Sequence, residues 1–286
     1  MNSLLSKIVS GRTLNIAHRG ARSLAPENTL AAAKKALEIG ADLWELDVVM
    51  TGDGEPIVLH DNSLNRTSNA TRVFPSRQPW WVHEFSLEKV RSLDFGSWFK
   101  EKDPFGQISA GRVSDGELES YAGESAPTLG EALEFTREHN WYVNVEVKDL
   151  RGTPGHHEII KKVVHLIEKN RMAERVLISS FNHNYLEQVK VLNPLLPTGV
   201  LTDRPHWNPF RLLENLMADA YHPRVHTFRA ADVRLLRERG RGVMVWVVND
   251  EADMRSLIGK GVHGIFTDFP QLLASVLGTG VDSLKT

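Results

Sequence analysis

Apolar residues along this chain follow two alternating rhythms. Short runs, such as VMVWVV at 243–248, are apolar at every position. Between them lie longer segments whose apolar residues recur every three or four positions. The first pattern predicts strands buried on both faces, and the second predicts amphipathic helices. Strand-like runs occur at 14–18, 43–48, 142–147, 175–179, 198–201, 220–222, 243–248 and 264–267. A helix is expected over about 27–39, with Leu30, Ala33 and Leu37 on one face and Gly40 closing it. Thr128-Leu129-Gly130-Glu131 is a capping-box pattern that opens another helix before the third strand. Further helical faces run through Ile160, Val163, Val164 and Ile167, through Tyr185, Val189 and Leu192, and through Val233 and Leu236. The last two use Met254, Leu257 and Ile258, and Leu272 and Leu273 after Pro270.

Eight such repeats in about 250 residues predict an α/β fold, a (β/α)8 TIM barrel. A doubly wound open sheet is the structural alternative, since short connections serve both. The rhythm breaks once, at 51–127, between the second strand and its helix. Thr51-Gly52-Asp53-Gly54 signals a turn, Pro56 to His60 reads as an extended return, and a polar stretch rich in Pro and Trp follows. This interval is expected to be an insertion within a single domain spanning 1–286. It lies on the side of a barrel that carries active sites. Trp80, Trp81 and Trp98 there fit either a satellite core or a substrate entrance.

Composition narrows the chemistry. With 34 basic and 36 acidic residues the net charge is −2, so nothing draws the whole chain to nucleic acid or to an anionic membrane. Anion recognition must come from a local cluster. The absence of cysteine excludes disulfides, thiolate metal sites and a cysteine nucleophile. No apolar run reaches about 18 residues, so no spanning helix is expected. The start of the chain lacks the apolar core of a secretory signal, and a cytoplasmic location is expected.

Side chains two apart on a strand share a face. Glu45 and Asp47 therefore point together, as do Asn144, Glu146 and Lys148, while His18 and Arg19 close the first strand. On barrel strands these groups converge near one mouth. Three carboxylates without thiolates suit a hard divalent cation, Mg2+ or Ca2+, which offsets their mutual repulsion. An internal salt-bridge network, with Arg19 and Lys148 pairing the acids, is the rival reading. Around a metal-bound phosphate, Arg19 offers a fork and Lys148 a point charge. His18 and His60 are the acid/base candidates among 12 histidines, because both sit at strand-end rims. His183 and His222 lie near strand ends too. Pro26-Glu27-Asn28-Thr29 reads as a helix start, with a second possibility that Glu27 or Asn28 orients Arg19 or His18. Trp246 and Asn249 close the seventh strand, and Asp268 is expected to cap the last helix.

Together IAHRGARSLAPENT, WELDVVMTGDGEPIVLHDNSLNRTS, VNVEVK, LISSF, VWVVND and GIFTDFP resemble the glycerophosphodiester phosphodiesterase family, in order and over almost the whole chain. The resemblance implies a TIM barrel with an insertion after the second strand. It implies metal ligands at Glu45, Asp47 and Glu146, acid/base roles for His18 and His60, and phosphate contacts from Arg19 and Lys148. Phe181 and Trp246 correspond to an apolar wall near the glycerol group. The implied reaction is metal-dependent hydrolysis of a glycerophosphodiester to sn-glycerol 3-phosphate and an alcohol. The partner is then this small-molecule substrate. A lysophospholipase D-like enzyme releasing a cyclic phosphate or lysophosphatidate is the alternative on the same scaffold.

Overall fold

A computed structural model describes residues 2–279. Eight parallel strands close a barrel: β1 (Leu14–Ala17), β2 (Leu43–Met50), β4 (Val143–Val147), β5 (Val176–Ser180), β6 (Thr198–Thr202), β7 (Ala220–Pro223), β8 (Gly242–Val245) and β9 (Gly264–Thr267). One further strand, β3 (Pro56–Val58), runs antiparallel beside β2. Closure comes from β1, which pairs with β9 on one side and β2 on the other. That double pairing rules out the open sheet. Nearly every strand residue is buried, which explains the unbroken apolar runs in the sequence.

The bottom of the barrel is plugged by the helix Ser3–Ile8. Its Leu4 and Ile8 pack with Leu14, Ile16, Leu43, Leu177, Met244 and Phe266. Outside, the helices bury their apolar faces on the strands. The helix Ile159–Lys169, for example, buries Ile159, Ile160, Val163, Val164 and Ile167. The capping box forms as read: Thr128 accepts from the Glu131 N–H, and Glu131 reaches back to the Thr128 N–H.

Three local differences from the sequence reading have physical causes. First, the helix expected over 27–39 runs Leu30–Ile39. Asn28 sits in the left-handed region with φ 59°, which breaks a helix, and Thr29 takes the capping role by accepting from the Ala32 N–H. Second, the run at 243–248 is not one strand. On the β9 side Val245 pairs with Ile265 and the Val248 N–H donates to the Phe266 carbonyl, so the ladder is interrupted at Trp246 and Val247, although Trp246 still bridges Arg224 on the β7 side. Such a bulge re-aims side chains, here toward the mouth. Third, the helix Pro209–Asn215 went unread because only seven residues form it.

Between β2 and the helix Leu129–Glu138, the stretch 51–127 holds β3 and several short helices. Trp98 packs with Phe99, Tyr121 and Leu24 in a satellite core. Trp80 is half-buried and its indole donates to the Phe74 carbonyl, while Trp81 is exposed.

Gly20 turns the chain away from β1 with φ 80°, and a Cβ there would lie 2.7 Å from the Cβ of Ala32. Both backbone conformation and space require glycine. Gly20→Ala is expected to lower stability by about 1–3 kcal/mol. A thermal melt showing no drop in midpoint would contradict this packing.

Candidate active site

Strand register builds the site. Glu45 lies beside Asn144, and Asp47 beside Glu146, across the β2–β4 ladder. All four are buried. One carboxylate oxygen from each of Glu45, Asp47 and Glu146 lies within 4.8 Å of the others. Around them a cavity of about 120 Å³ is lined by His18, Arg19, His60, Lys148, Phe181 and Trp246, together with Glu45 and Glu146. Asn144, Ser179, Leu201, Val247 and Phe266 complete it. Asp47 does not line this space; it stands behind, bound by Asn28 and Arg19.

The acids are only partly compensated. Lys148 Nζ lies 2.6 Å from Glu146 and 3.3 Å from Asp47. Arg19 Nε lies 3.1 Å from Asp47, and its backbone N–H donates to Glu45 Oε2 at 2.9 Å. Asn28 Nδ2 donates to Asp47 at 2.9 Å. Glu45 Oε1 is buried without any partner, and Asp47 Oδ1 faces the Lys148 ammonium at 3.3 Å but accepts no hydrogen bond. Burial, then Asp47 and Glu146, push Glu45 well above the usual carboxylate range. Burial also raises Glu146, with Asp47 adding to it and Lys148 opposing. For Asp47 burial is outweighed by Lys148, Arg19 and His60, which hold its pKa low. Burial works against the Lys148 and Arg19 cations, but the acids around them raise both pKa values. The salt-bridge network therefore exists, yet leaves hard oxygens unmatched. A donor set of carboxylates with orphaned oxygens fits a cation of the Mg2+ or Ca2+ type.

Each histidine is gripped at Nδ1 by a carboxylate. His18 Nδ1 is 2.7 Å from Asp268 Oδ1, and His60 Nδ1 is 2.5 Å from Asp61 Oδ1. That leaves Nε2 of each ring for the cavity. Burial and the Arg19 charge pull the His18 pKa below its ordinary value, against Asp268. Asp268 is not the cap expected from sequence: the helix Pro270–Leu277 has Phe269 at its cap position and no side-chain cap bond. Its carboxylate is turned to His18, Arg22 (3.4 Å) and Asn249 (2.7 Å) because β9 closes against β1. Although burial opposes ionisation, His18 and Arg22 bring Asp268 down to about 2.

The other sequence candidates separate. Phe181 and Trp246 meet edge to face, centroids 5.4 Å apart, forming an apolar wall. Glu27 bonds Arg19 at 2.8 Å, as the second reading of the PENT stretch foresaw, whereas Asn28 orients Asp47 instead. Neither His183 nor His222 lines the cavity. His222 is shut inside the barrel, and burial lowers its pKa to about 3. Trp80, Trp81 and Trp98 do not line it either. The roles of Asp61, Arg22, Arg66 and Asn249 went unread. Only Asp61, adjacent to His60, carried a usable sequence signal.

Residues 18–272 match the family model for glycerophosphoryl diester phosphodiesterases. The chain belongs to that family. A glycerophosphodiester phosphodiesterase of Caldanaerobacter subterraneus subsp. tengcongensis is 35% identical over 269 residues, covering 94% of this chain and 99% of its own. One from Bacillus subtilis is 33% identical over 276 residues, covering 93% and 86%. Among solved structures, a phosphodiesterase of Oleispira antarctica in complex with the product sn-glycerol-3-phosphate has a TM-score of 0.76 at 26% identity, covering 95% of this chain and 99% of its own. The glycerophosphodiester phosphodiesterase of Agrobacterium tumefaciens gives 0.70 at 25%, covering 91% and 98%. Among the described residues, no helix is long and apolar enough to cross a membrane.

Asp268 sets a pH expectation. Its folded pKa of about 2 lies below the unfolded value near 3.9. Its stabilisation is therefore complete above about pH 4 and is lost as pH falls toward 2. Urea unfolding of Asp268→Asn should show a shallower loss of stability across that window. An unchanged slope would remove the His18–Asp268 bond from the account.

Proposed function

We propose that this site hydrolyses glycerophosphodiesters to sn-glycerol 3-phosphate and an alcohol, with a divalent cation at Glu45, Asp47 and Glu146. The observation that carries the reading is the convergence of two carboxylate-held imidazoles on one cavity with Glu45, Glu146 and two cations, with Asp47 close behind the two acids. A phosphodiester resists attack because its oxygens repel nucleophiles. A bound cation would supply positive charge toward the phosphoryl oxygens and relieve the repulsion among its acids.

The chain's own residues do the rest. Arg19 and Lys148 direct their charges at the same space, so an entering phosphate meets cations already fixed by Asp47, Glu27 and Glu146. With Nδ1 of each ring engaged, the Nε2 atoms of His18 and His60 carry the proton traffic. One takes the proton of the substrate's glycerol 2-hydroxyl as it bonds to phosphorus, the other gives a proton to the alkoxide whose P–O bond breaks, and water then opens the cyclic phosphate to glycerol 3-phosphate. Asp268 and Asp61 hold the rings in that tautomer and steady their charged forms. Phe181 and Trp246 offer the uncharged glycerol an apolar face. The lipid alternative wants a long apolar entrance, and none of the three tryptophans in 51–127 lines the cavity.

A coupled assay for glycerol 3-phosphate release, run over a panel of headgroups with and without chelator, tests the reaction. His18→Ala and His60→Ala should each lower turnover by about 10²–10⁴. Near-normal turnover in either would falsify its role. Glu45→Gln separates metal from structure. In chelator it should raise the melting midpoint, because the burial and the Asp47 and Glu146 charges that disfavour an ionised Glu45 no longer act on a neutral amide. Added Ca2+ or Mg2+ should stabilise the parent protein and not the variant. A cation-induced shift that survives in Glu45→Gln rules Glu45 out as a ligand.

A further inference from the structure

Glu27 meets far more positive charge than a helix start needs. Its Oε1 accepts from Arg19 Nη1 at 2.8 Å and Arg66 Nη2 at 2.6 Å. Its Oε2 accepts from Arg22 Nη2 at 2.6 Å and Arg66 Nη1 at 3.0 Å. The residue is 5% exposed. No helix role explains this, since the helix begins at Leu30 and Thr29 caps it. Three guanidiniums around one buried carboxylate make charge-assisted, partly bidentate contacts with little freedom.

Two of those guanidiniums lead to the two histidines. Arg22 Nη1 reaches Asp268 Oδ1, the atom that holds His18 Nδ1. Arg66 Nε donates to Asp61 Oδ2 at 2.5 Å, and the other oxygen of Asp61 holds His60 Nδ1. The chain of contacts runs His18, Asp268, Arg22, Glu27, Arg66, Asp61, His60. His18 ends a barrel strand, whereas His60, Asp61 and Arg66 belong to 51–127. The distance between the rings thus depends on how that stretch lies on the barrel. Proton transfer tolerates little error in such a distance.

We propose that Glu27 is a positioning residue that couples the two imidazoles, so that a disturbance at one is felt at the other. This rests on the two-histidine reading above. Glu27 holds its charge throughout: burial opposes ionisation, but Arg66, Arg22 and Arg19 keep its pKa far below the ordinary range. The third guanidinium, Arg19, ties the phosphate clamp to the same anchor. One carboxylate thereby sets the placement of both proton carriers and of the group that holds the phosphate between them.

The test is crosstalk. Arg66 is half-exposed, so Arg66→Gln in the full chain with saturating Ca2+ should fold. Its ring nitrogen NMR signals at fixed pH should shift at His60, and at His18 as well. In a Glu27→Gln background the effect of Arg66→Gln on His18 should vanish. Kinetically, Arg66→Gln should lower kcat about tenfold in the parent and less than about threefold in Glu27→Gln, with KM little changed. His18 signals untouched by Arg66→Gln overturn the proposal, as does an equal kinetic cost in both backgrounds. If Glu27→Gln does not fold, the His18 response to Arg66→Gln alone still decides. The ring signals do not depend on turnover, so failure of the reaction reading, seen in His18→Ala and His60→Ala, is distinguishable from failure of the coupling.

Discussion

The backbone of this barrel forces like charges together. Asp47 and Glu146 are register partners on adjacent strands, and Glu45 is two residues below Asp47 on the same face. Ladder hydrogen bonds fix their separation, so the side chains cannot relax apart without breaking the sheet. Two unit charges 4 Å apart repel by about 4 kcal/mol at an effective dielectric of 20. Everything around the mouth answers that repulsion. Lys148 comes from just past the end of β4, Arg19 from just past the end of β1, and Asn28 from the turn that follows. What they leave unanswered is concentrated on Glu45, whose pKa rises accordingly.

Those answers have their own cost in backbone conformation. Arg19 and Asn28 both sit at positive φ, 57° and 59°. For a residue with a Cβ this costs on the order of 1–2 kcal/mol, less for Asn, whose side chain tolerates the region. Each is held there by the site itself: the Arg19 N–H by Glu45, the Asn28 side chain by Asp47. The turn also exchanges backbone bonds, the Asn28 N–H donating to the Arg19 carbonyl. Strain and charge are thus coupled, since the acids that would repel one another also fix the turn that brings in their partners. A packed barrel beneath, plugged by Leu4 and Ile8, gives the rigid base this requires.

The parts legible in the sequence were those governed by short-range periodicity. Alternation along a strand put Glu45 with Asp47 and Asn144 with Glu146 and Lys148, and strand ends marked His18, Arg19 and His60. The unread parts depend on closure. Asp268 is 250 positions from His18 and meets it only because β9 pairs with β1. Next to a helix-starting proline its local chemistry mimics a cap, so local reasoning assigned it there. Arg22 and Arg66 carry no local signal, because periodicity does not announce Glu27 as their common partner. The break in the β8–β9 ladder at Trp246 and Val247 leaves no pattern, since apolar residues that skip one neighbour read as more strand.

The cavity is divided in a way that restricts what can enter. One side presents Arg19, Lys148, Glu45, Glu146 and the two histidines; the other presents Phe181, Leu201, Trp246 and Phe266. The Trp246 indole is anchored to the His222 carbonyl at 2.8 Å, so its ring face is fixed, while Phe181 meets it edge-on and remains 40% exposed. A fully charged ligand would desolvate against the aromatic side without compensation. A fully apolar one would strip water from the ionised side and replace none of its hydrogen bonds. The arrangement favours a molecule with an anionic centre and a small uncharged arm. A phosphodiester of glycerol has that form.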